Sequence, residues 1–225
     1  DFGVHPFWIY DQTDWYAVAS DFSRQELLKQ GILESKIKVT GIPIDPKFSR
    51  RFDRAALRVK LNLDPGQFTV LVVTGSFGIG PIEAIVDLLH GQVQLLAVCA
   101  KNEKLFSRLT AKNYPGVKVF GFVDNIDELM AVTDLIVTKP GGLSVSELLA
   151  RELVPVFISA IPGQETQNIK VLAKYGIGER ADNASRVKEI VLDYLNSPQK
   201  LKRARYRISQ MRKPNAAEEI YRALR

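Results

Sequence analysis

From about residue 68 onward, short apolar runs alternate with amphipathic stretches. The runs at 69–74, 94–100, 117–122, 134–138 and 154–159 are mostly rich in Val, Ile, Leu or Phe. They are short and predict strands. Between them, residues 81–89, 103–112, 126–132, 144–151 and 166–175 carry apolar side chains at helical spacing. Near-continuous apolar strands alternating with helices predict a parallel sheet covered on both faces. This is the doubly wound α/β pattern, whose ligands bind at the carboxyl ends of the strands.

The first 50 residues read differently. Segments 15–20 and 36–42 predict strands around a helix at 23–30, where Ser23 and Glu26 fit a capping box and Gly31 a C-terminal stop. Residues 43–65 carry three prolines and many charges and read as a linker. Residues 1–43 are too few to bury a core alone. The chain opens at Asp1 without a Met, and reads as part of a longer protein. Helical patterns return at 186–195, 199–211 and 216–224, with Pro198 and Pro214 as breaks. The expected organisation is therefore 1–50, the end of an N-terminal domain; 51–200, a complete α/β domain; and 201–225, basic helices packing back toward the first piece.

Composition narrows the function. At 225 residues, 46% hydrophobic and 25% charged, the chain has room for one large or two small domains. The single cysteine, Cys99, lies in an apolar run, which excludes a disulfide framework and a zinc cluster and predicts a buried thiol in a reducing, cytoplasmic setting. No apolar run approaches the ~20 residues of a membrane-spanning helix, and no signal peptide is present. Residues 197–225 hold nine Lys or Arg and two Glu, so the net charge of +6 resides in that tail. Its dense run, Lys200 to Lys213, predicts either attraction to anionic lipid or a solvated helix face. Nucleic acid is disfavoured, because the run has one Tyr and no recognised binding motif.

Chemistry gathers after the strands. Gly75-Ser76-Phe77-Gly78-Ile79-Gly80 follows the first strand of the series and opens a helix, so its glycines allow close backbone approach to a ligand or simply a tight turn. Its spacing is not the dinucleotide fingerprint, and no acidic residue ends the next strand, so NAD is disfavoured. Gly121-Phe122-Val123 ends the third strand, with Phe122 either against a base or in the core. Lys139-Pro140-Gly141-Gly142-Leu143-Ser144 joins the fourth strand to a helix carrying Glu147. Such a turn presents N–H groups and a helix N-terminus to a phosphate, and a carboxylate one turn on can accept from a ribose. Pro162-Gly163-Gln164-Glu165 and Asn168 follow the fifth strand and offer donors and acceptors to sugar hydroxyls, or form an acidic helix start. His5, in His5-Pro6-Phe7-Trp8, can be a general base on an acceptor hydroxyl or a structural residue. His90 reads as a helix-end residue. No metal-binding constellation is expected.

These motifs resemble the diacylglycerol glycosyltransferases, the family of monogalactosyldiacylglycerol synthase and the processive diacylglycerol glucosyltransferases, related to the peptidoglycan N-acetylglucosaminyltransferase. The resemblance rests on His5-Pro6-Phe7-Trp8, Thr40-Gly41-Ile42-Pro43, Gly121-Phe122-Val123-Asp124, Thr138-Lys139-Pro140-Gly141-Gly142 and Pro162-Gly163-Gln164-Glu165. It implies two Rossmann-like domains of the GT-B type. It further implies an inverting, metal-independent transfer of glucose or galactose from UDP-glucose or UDP-galactose to diacylglycerol, without a cofactor. The enzyme would be peripheral at the inner face of the cell membrane, on anionic lipid. Gly75, Ser76 and Gly78 would line the donor site, Phe122 and Val123 would lie by uracil, and Lys139, Gly141, Gly142, Leu143 and Ser144 by the diphosphate. Glu147 would meet the ribose, and Gly163, Gln164, Glu165 and Asn168 the sugar. Ser76-Phe77 stands where the family usually has Gly-Gly or Gly-Glu, and Ser144 replaces the usual Thr. The base is expected before Asp1, with His5 as the alternative. A UDP-sugar epimerase, a UDP-N-acetylglucosamine transferase and an inactive UDP-sugar-binding fragment are the competing readings.

Overall fold

In a computed structural model, residues 1–158 and 163–224 are described. The main sheet has six strands, all parallel: β3 (Thr69–Val73), β4 (Gln94–Val98), β5 (Val117–Phe120), β6 (Leu135–Thr138), β7 (Val154–Phe157) and β8 (Glu179–Arg180). Their order is β5-β4-β3-β6-β7-β8. The chain starts at β3, runs outward to β5, then returns to the other side of β3 with β6. The carboxyl ends of β3 and β6 therefore flank the switch point, where doubly wound sheets open a crevice.

The helices are α3 (Ile82–Leu89), α4 (Glu103–Lys112), α5 (Ile126–Val132), α6 (Gly142–Ala150), α7 (Gln164–Lys174) and α8 (Ala184–Asn196). They cover both faces, which is why Val70, Leu71, Val72, Leu95, Leu96, Ala97, Leu135 and Val137 are all fully buried rather than alternating. The expected fold class and strands are found, with ends one or two residues shorter. Ser159 of the last expected strand and Pro162 of the expected sugar motif lie outside the described residues. The two-residue edge strand β8 had no apolar run to announce it.

A second, two-stranded parallel sheet joins β1 (Tyr16–Val18) to β2 (Ile37–Val39) around α1 (Asp21–Lys29), closing on Val18, Leu27 and Ile37. The cap of α1 is one turn earlier than the sequence suggested. Ser20, not Ser23, takes the extended N-cap conformation and accepts from Ser23 N. Ser23 and Glu26 are used otherwise: Ser23 Oγ donates to Phe2 O at 2.6 Å, and Glu26 Oε2 accepts from Val4 N at 2.9 Å.

Residues 43–65 are not a plain linker. They hold a 3₁₀ turn, Pro46–Ser49, and a helix, α2 (Arg54–Lys60). Asp45 and Asp53 cap them, and Phe48 and Leu57 enter the main core. Arg58 is 6% exposed and donates to the carbonyls of Asp64, Pro65, Gln67 and Val132, to Thr69 Oγ1, and to Asp134 Oδ2. It locks α2 to the start of β3 and β6. The chain ends with α9 (Pro198–Met211), which lies against α6, α8 and β7, and α10 (Ala216–Ala223). Between them Lys213 and Ala216 sit on Gly41, where an added Cβ would lie 2.3 Å from that of Lys213. Ser49 Oγ meets Pro214 O at 3.5 Å.

Candidate functional site

The loops after β3 and β6 stand side by side at the switch point. After β3, Gly75 (φ +88°), Gly78 (φ +57°) and Gly80 (φ +145°) take conformations that other residues rarely adopt. A Cβ on Gly78 would fall 2.1 Å from the carbonyl oxygen of Cys99, so this turn is folded directly onto the end of β4. Asn102 pins it, donating to Gly78 O at 3.1 Å while its Oδ1 caps α4. Ser76, Phe77 and Ile79 are exposed above it. The hydroxyl of Thr74, at the head of this loop, is buried without a partner among the described residues. Sequence reading passed over it as a strand end. An orphaned hydroxyl at a crevice is a signal only a structure supplies. Cys99 is buried, as expected, and burial pushes its thiol up to about 11.

After β6, Gly141 is the N-cap of α6, and no side chain caps that helix. Its first N–H groups therefore face the crevice unpaired by a side chain, which suits an anion. Lys139 is half-buried beside them, and Leu143 is exposed. Gly142 is buried because Asp1 packs on it, with Asp1 Oδ1 2.5 Å from where a Cβ would be. Ser144 and Glu147 lie further along α6, both half-buried. Burial raises the Glu147 carboxyl to about 7, with Lys47 pulling it down and Asp45 pushing it up. Phe122 is 67% exposed beyond β5, so the core reading of this residue does not hold, whereas Val123 packs on the core.

After β7, Gly163 (φ +100°) is the N-cap of α7 and Gln164 its first residue, both exposed. Glu165 reaches toward α6, its Oε1 3.9 Å from a Cβ position on Gly141. Asn168 departs from the expected sugar contact. It is fully buried, and its Oδ1 accepts from Phe2 N at 2.9 Å while its Nδ2 donates to Asp1 Oδ1 at 3.0 Å and Pro140 O at 2.9 Å. Its amide clamps the first residues to the glycine turn and leaves at most one acceptor position.

His5 is exposed and caps the turn Pro6–Trp8, its Nδ1 accepting from Phe7 N at 3.2 Å. The ring is thus tied to its own turn while it stays exposed to solvent. The ring still borders a cavity of about 220 Å³ shared with Asp1, Trp8, Gly163, Gln164 and Gln167. His90 is the C-cap residue of α3, stacked on Tyr114.

The glycosyltransferase family 28 C-terminal domain matches residues 69–220, two thirds of the chain. This chain belongs to glycosyltransferase family 28. The monogalactosyldiacylglycerol (MGDG) synthase family matches residues 1–44 of the same family 28 chain. A processive diacylglycerol β-glucosyltransferase of Bacillus subtilis is 32% identical over 228 residues, covering 98% of this chain and 59% of that protein. One of Staphylococcus aureus strain Newman is 34% identical over 207 residues, covering 89% and 53%. The family 28 chain thus spans little more than half the length of these relatives. Among solved structures, UDP-GlcNAc 2-epimerase from Neisseria meningitidis bound to UDP-GlcNAc superposes with a TM-score of 0.71 at 14% identity, covering 94% of this chain and 60% of that one. Anabaena Alr3699/HepE in complex with UDP-glucose gives 0.59 at 19% identity, covering 94% and 63%. At these identities the likeness concerns the fold, which is of the GT-B type.

Proposed function

We propose that this chain carries the donor half of an inverting hexosyltransferase that moves glucose or galactose from a UDP-sugar to diacylglycerol. One observation carries the reading: the uncapped N-terminus of α6, opened by Gly141 and Gly142 at the sheet's switch point, with Glu147 on the same helix. The diphosphate lies on the first N–H groups of α6, beside Lys139 and opposite the turn at Gly75, Ser76 and Gly78. Leu143 and Ser144 border it. Uracil stacks at Phe122 near Val123, and Glu147 accepts from the ribose hydroxyls. Gly163, Gln164 and Glu165 face the hexose, and Asn168 holds the wall behind them.

The acceptor hydroxyl attacks the anomeric carbon from the face opposite UDP, forming the new glycosidic bond as the bond to the diphosphate oxygen breaks. The charge that develops on that oxygen meets N–H dipoles already in place. No metal or cofactor is required in this scheme. Within this chain His5 is the candidate to take the proton of the acceptor hydroxyl, its exposed ring bordering the cavity shared with Gln164 and Gln167. Among the described residues no helix is long and apolar enough to cross a membrane. In this reading the lipid acceptor is met at the membrane surface. The diacylglycerol part of the reading is supported by the names of the bacterial relatives.

The test is calorimetric titration with UDP, UDP-glucose, UDP-galactose and UDP-N-acetylglucosamine without added metal. Binding of a UDP-hexose that weakens in Glu147→Ala supports the donor assignment. Failure of all four to bind, in this chain and in the longer protein, sinks it.

A further inference from the structure

At the other end of the sheet, before β6 and β7 begin, lies a cavity of about 440 Å³. Thr133, Leu153 and Ala150 place it at the amino ends of those strands and the carboxyl end of α6, a helix of nine residues and so about 13 Å long. Its polar lining is unusual: Arg50, Arg51, Arg54, Arg151, Arg205 and Arg212 all border it.

The carboxylates near these six guanidinium groups are few. Asp134 pairs with Arg54 at 2.6 Å and Arg205 at 3.3 Å, and also takes Arg58. Glu152 pairs with Arg212 at 2.8 Å. Asp127 favours the charge on Arg151 from a distance. Arg50 and Arg51 are exposed, and their guanidinium groups have no carboxylate partner among the described residues.

Arg151 is the most informative member. Its two terminal nitrogens donate to the carbonyls of Arg50 and Lys47, and its plane lies 4.6 Å from the Phe52 ring centroid. Its Nε is buried with no partner among the described residues. Burial lowers its pKa by desolvating the guanidinium, against the opposing pull of Asp127. A fork of planar guanidinium groups around a concave space, in excess over carboxylates, is the chemistry that holds a phosphoryl group by paired N–H···O bonds.

We propose that this cavity is a phosphoryl-anion site separate from the donor crevice, with the unpaired Arg50 and Arg51 as its principal donors and Arg151 and Arg212, already bonded within the fold, forming its wall. The phosphoryl group can belong to an anionic lipid headgroup or to a soluble phosphate. The site is also placed to be felt by the donor crevice. Arg151 holds the 3₁₀ turn Pro46–Ser49, whose Lys47 and Asp45 act on the Glu147 carboxyl.

The experiment uses the chain with UDP-glucose as a control ligand. Inorganic phosphate is titrated calorimetrically at low salt, and sedimentation is measured with phosphatidylglycerol vesicles against phosphatidylcholine vesicles. Arg50→Ala/Arg51→Ala is compared with the parent, and Arg51→Glu serves as a second variant at an exposed position. Saturable phosphate binding that weakens at least tenfold in both variants, with UDP-glucose affinity unchanged, supports a soluble anion. Sedimentation only with phosphatidylglycerol, lost in both variants and at high salt, supports a headgroup. If neither probe binds the parent, or if the variants bind as the parent does, the proposal is overturned. The phosphate and vesicle arms read the cavity and the UDP-glucose control reads the donor crevice, so the two assignments fail separately.

Discussion

The raised carboxyl of Glu147 makes donor binding and folding pull in opposite directions as pH changes. Free, its pKa is about 7, against an ordinary 4.5, because burial disfavours the charge. The folded state therefore holds this proton more tightly than the unfolded chain. The contribution of this one group to stability is fully present below pH 4.5 and is lost as pH rises through 7, by up to about 3 kcal/mol at ~1.4 kcal/mol per pH unit. If ribose hydroxyls donate to this carboxylate, the complex prefers the charged form and its pKa returns toward the ordinary value. Affinity then rises with pH, by about 25-fold between pH 5.5 and 8, with roughly 0.9 proton released on binding at pH 6. The probe must be UDP-glucose, because a terminal phosphate titrates near ~6 and would mimic the effect. Calorimetry in buffers of different ionisation enthalpy counts the protons directly. Glu147→Gln should flatten the affinity profile and raise the melting temperature above pH 7, while binding more weakly than the parent there. A parent profile flat from pH 5.5 to 8, or a Gln variant that keeps the slope, would refute the assignment.

Three further outcomes follow from the same geometry. Asn168→Ala removes three hydrogen bonds at a fully buried site and should destabilise by about 2–4 kcal/mol in thermal melts; an unchanged melt with lost sugar binding would instead make it a direct ligand contact. Gly78→Ala drives a Cβ into the Cys99 carbonyl at positive φ. It should lose about 1–3 kcal/mol of stability and weaken UDP-glucose binding, whereas a neutral result would mean the turn is free to move. Phe122→Ala, at an exposed position, should leave the melting temperature within error but weaken UDP by about 1–2 kcal/mol, roughly five- to thirtyfold, as lost base stacking does.

The sheet domain was legible because strands buried on both faces have to be continuous apolar runs, and β3, β4, β6 and β7 are. The glycine turn at 75–80 was legible because Gly75, Gly78 and Gly80 sit at positive φ, which favours glycine; at 141–142 the reason is space, since a Cβ on Gly142 would fall 2.5 Å from Asp1 Oδ1. What stayed hidden was tertiary. Arg58 looks like any charged residue in a proline-rich stretch, and its six partners are gathered from segments up to 76 residues away. Ser20 and Ser23 are equally good caps by type, and the hydrogen bond to Phe2 decides between them. Asn168 carries an amide that suits a ligand, but its own chain had already taken that group. The arginines of the second cavity come from four separate stretches and form no motif. The basic run in α9 was ambiguous for the same reason: Lys200, Arg205 and Arg212 are paired to the body of the protein.

The chain leaves the β1–β2 unit through residues 43–53 and returns to it near Lys213, and the two passages touch at Ser49 and Pro214. A single tether is a swivel, free to bend and to twist. Two tethers fixed side by side form an axle: one rotation stays soft and torsion becomes stiff. Asn168 blocks that rotation from a third point by clamping Asp1 and Phe2 to the glycine turn, so the wall facing a bound donor keeps one register.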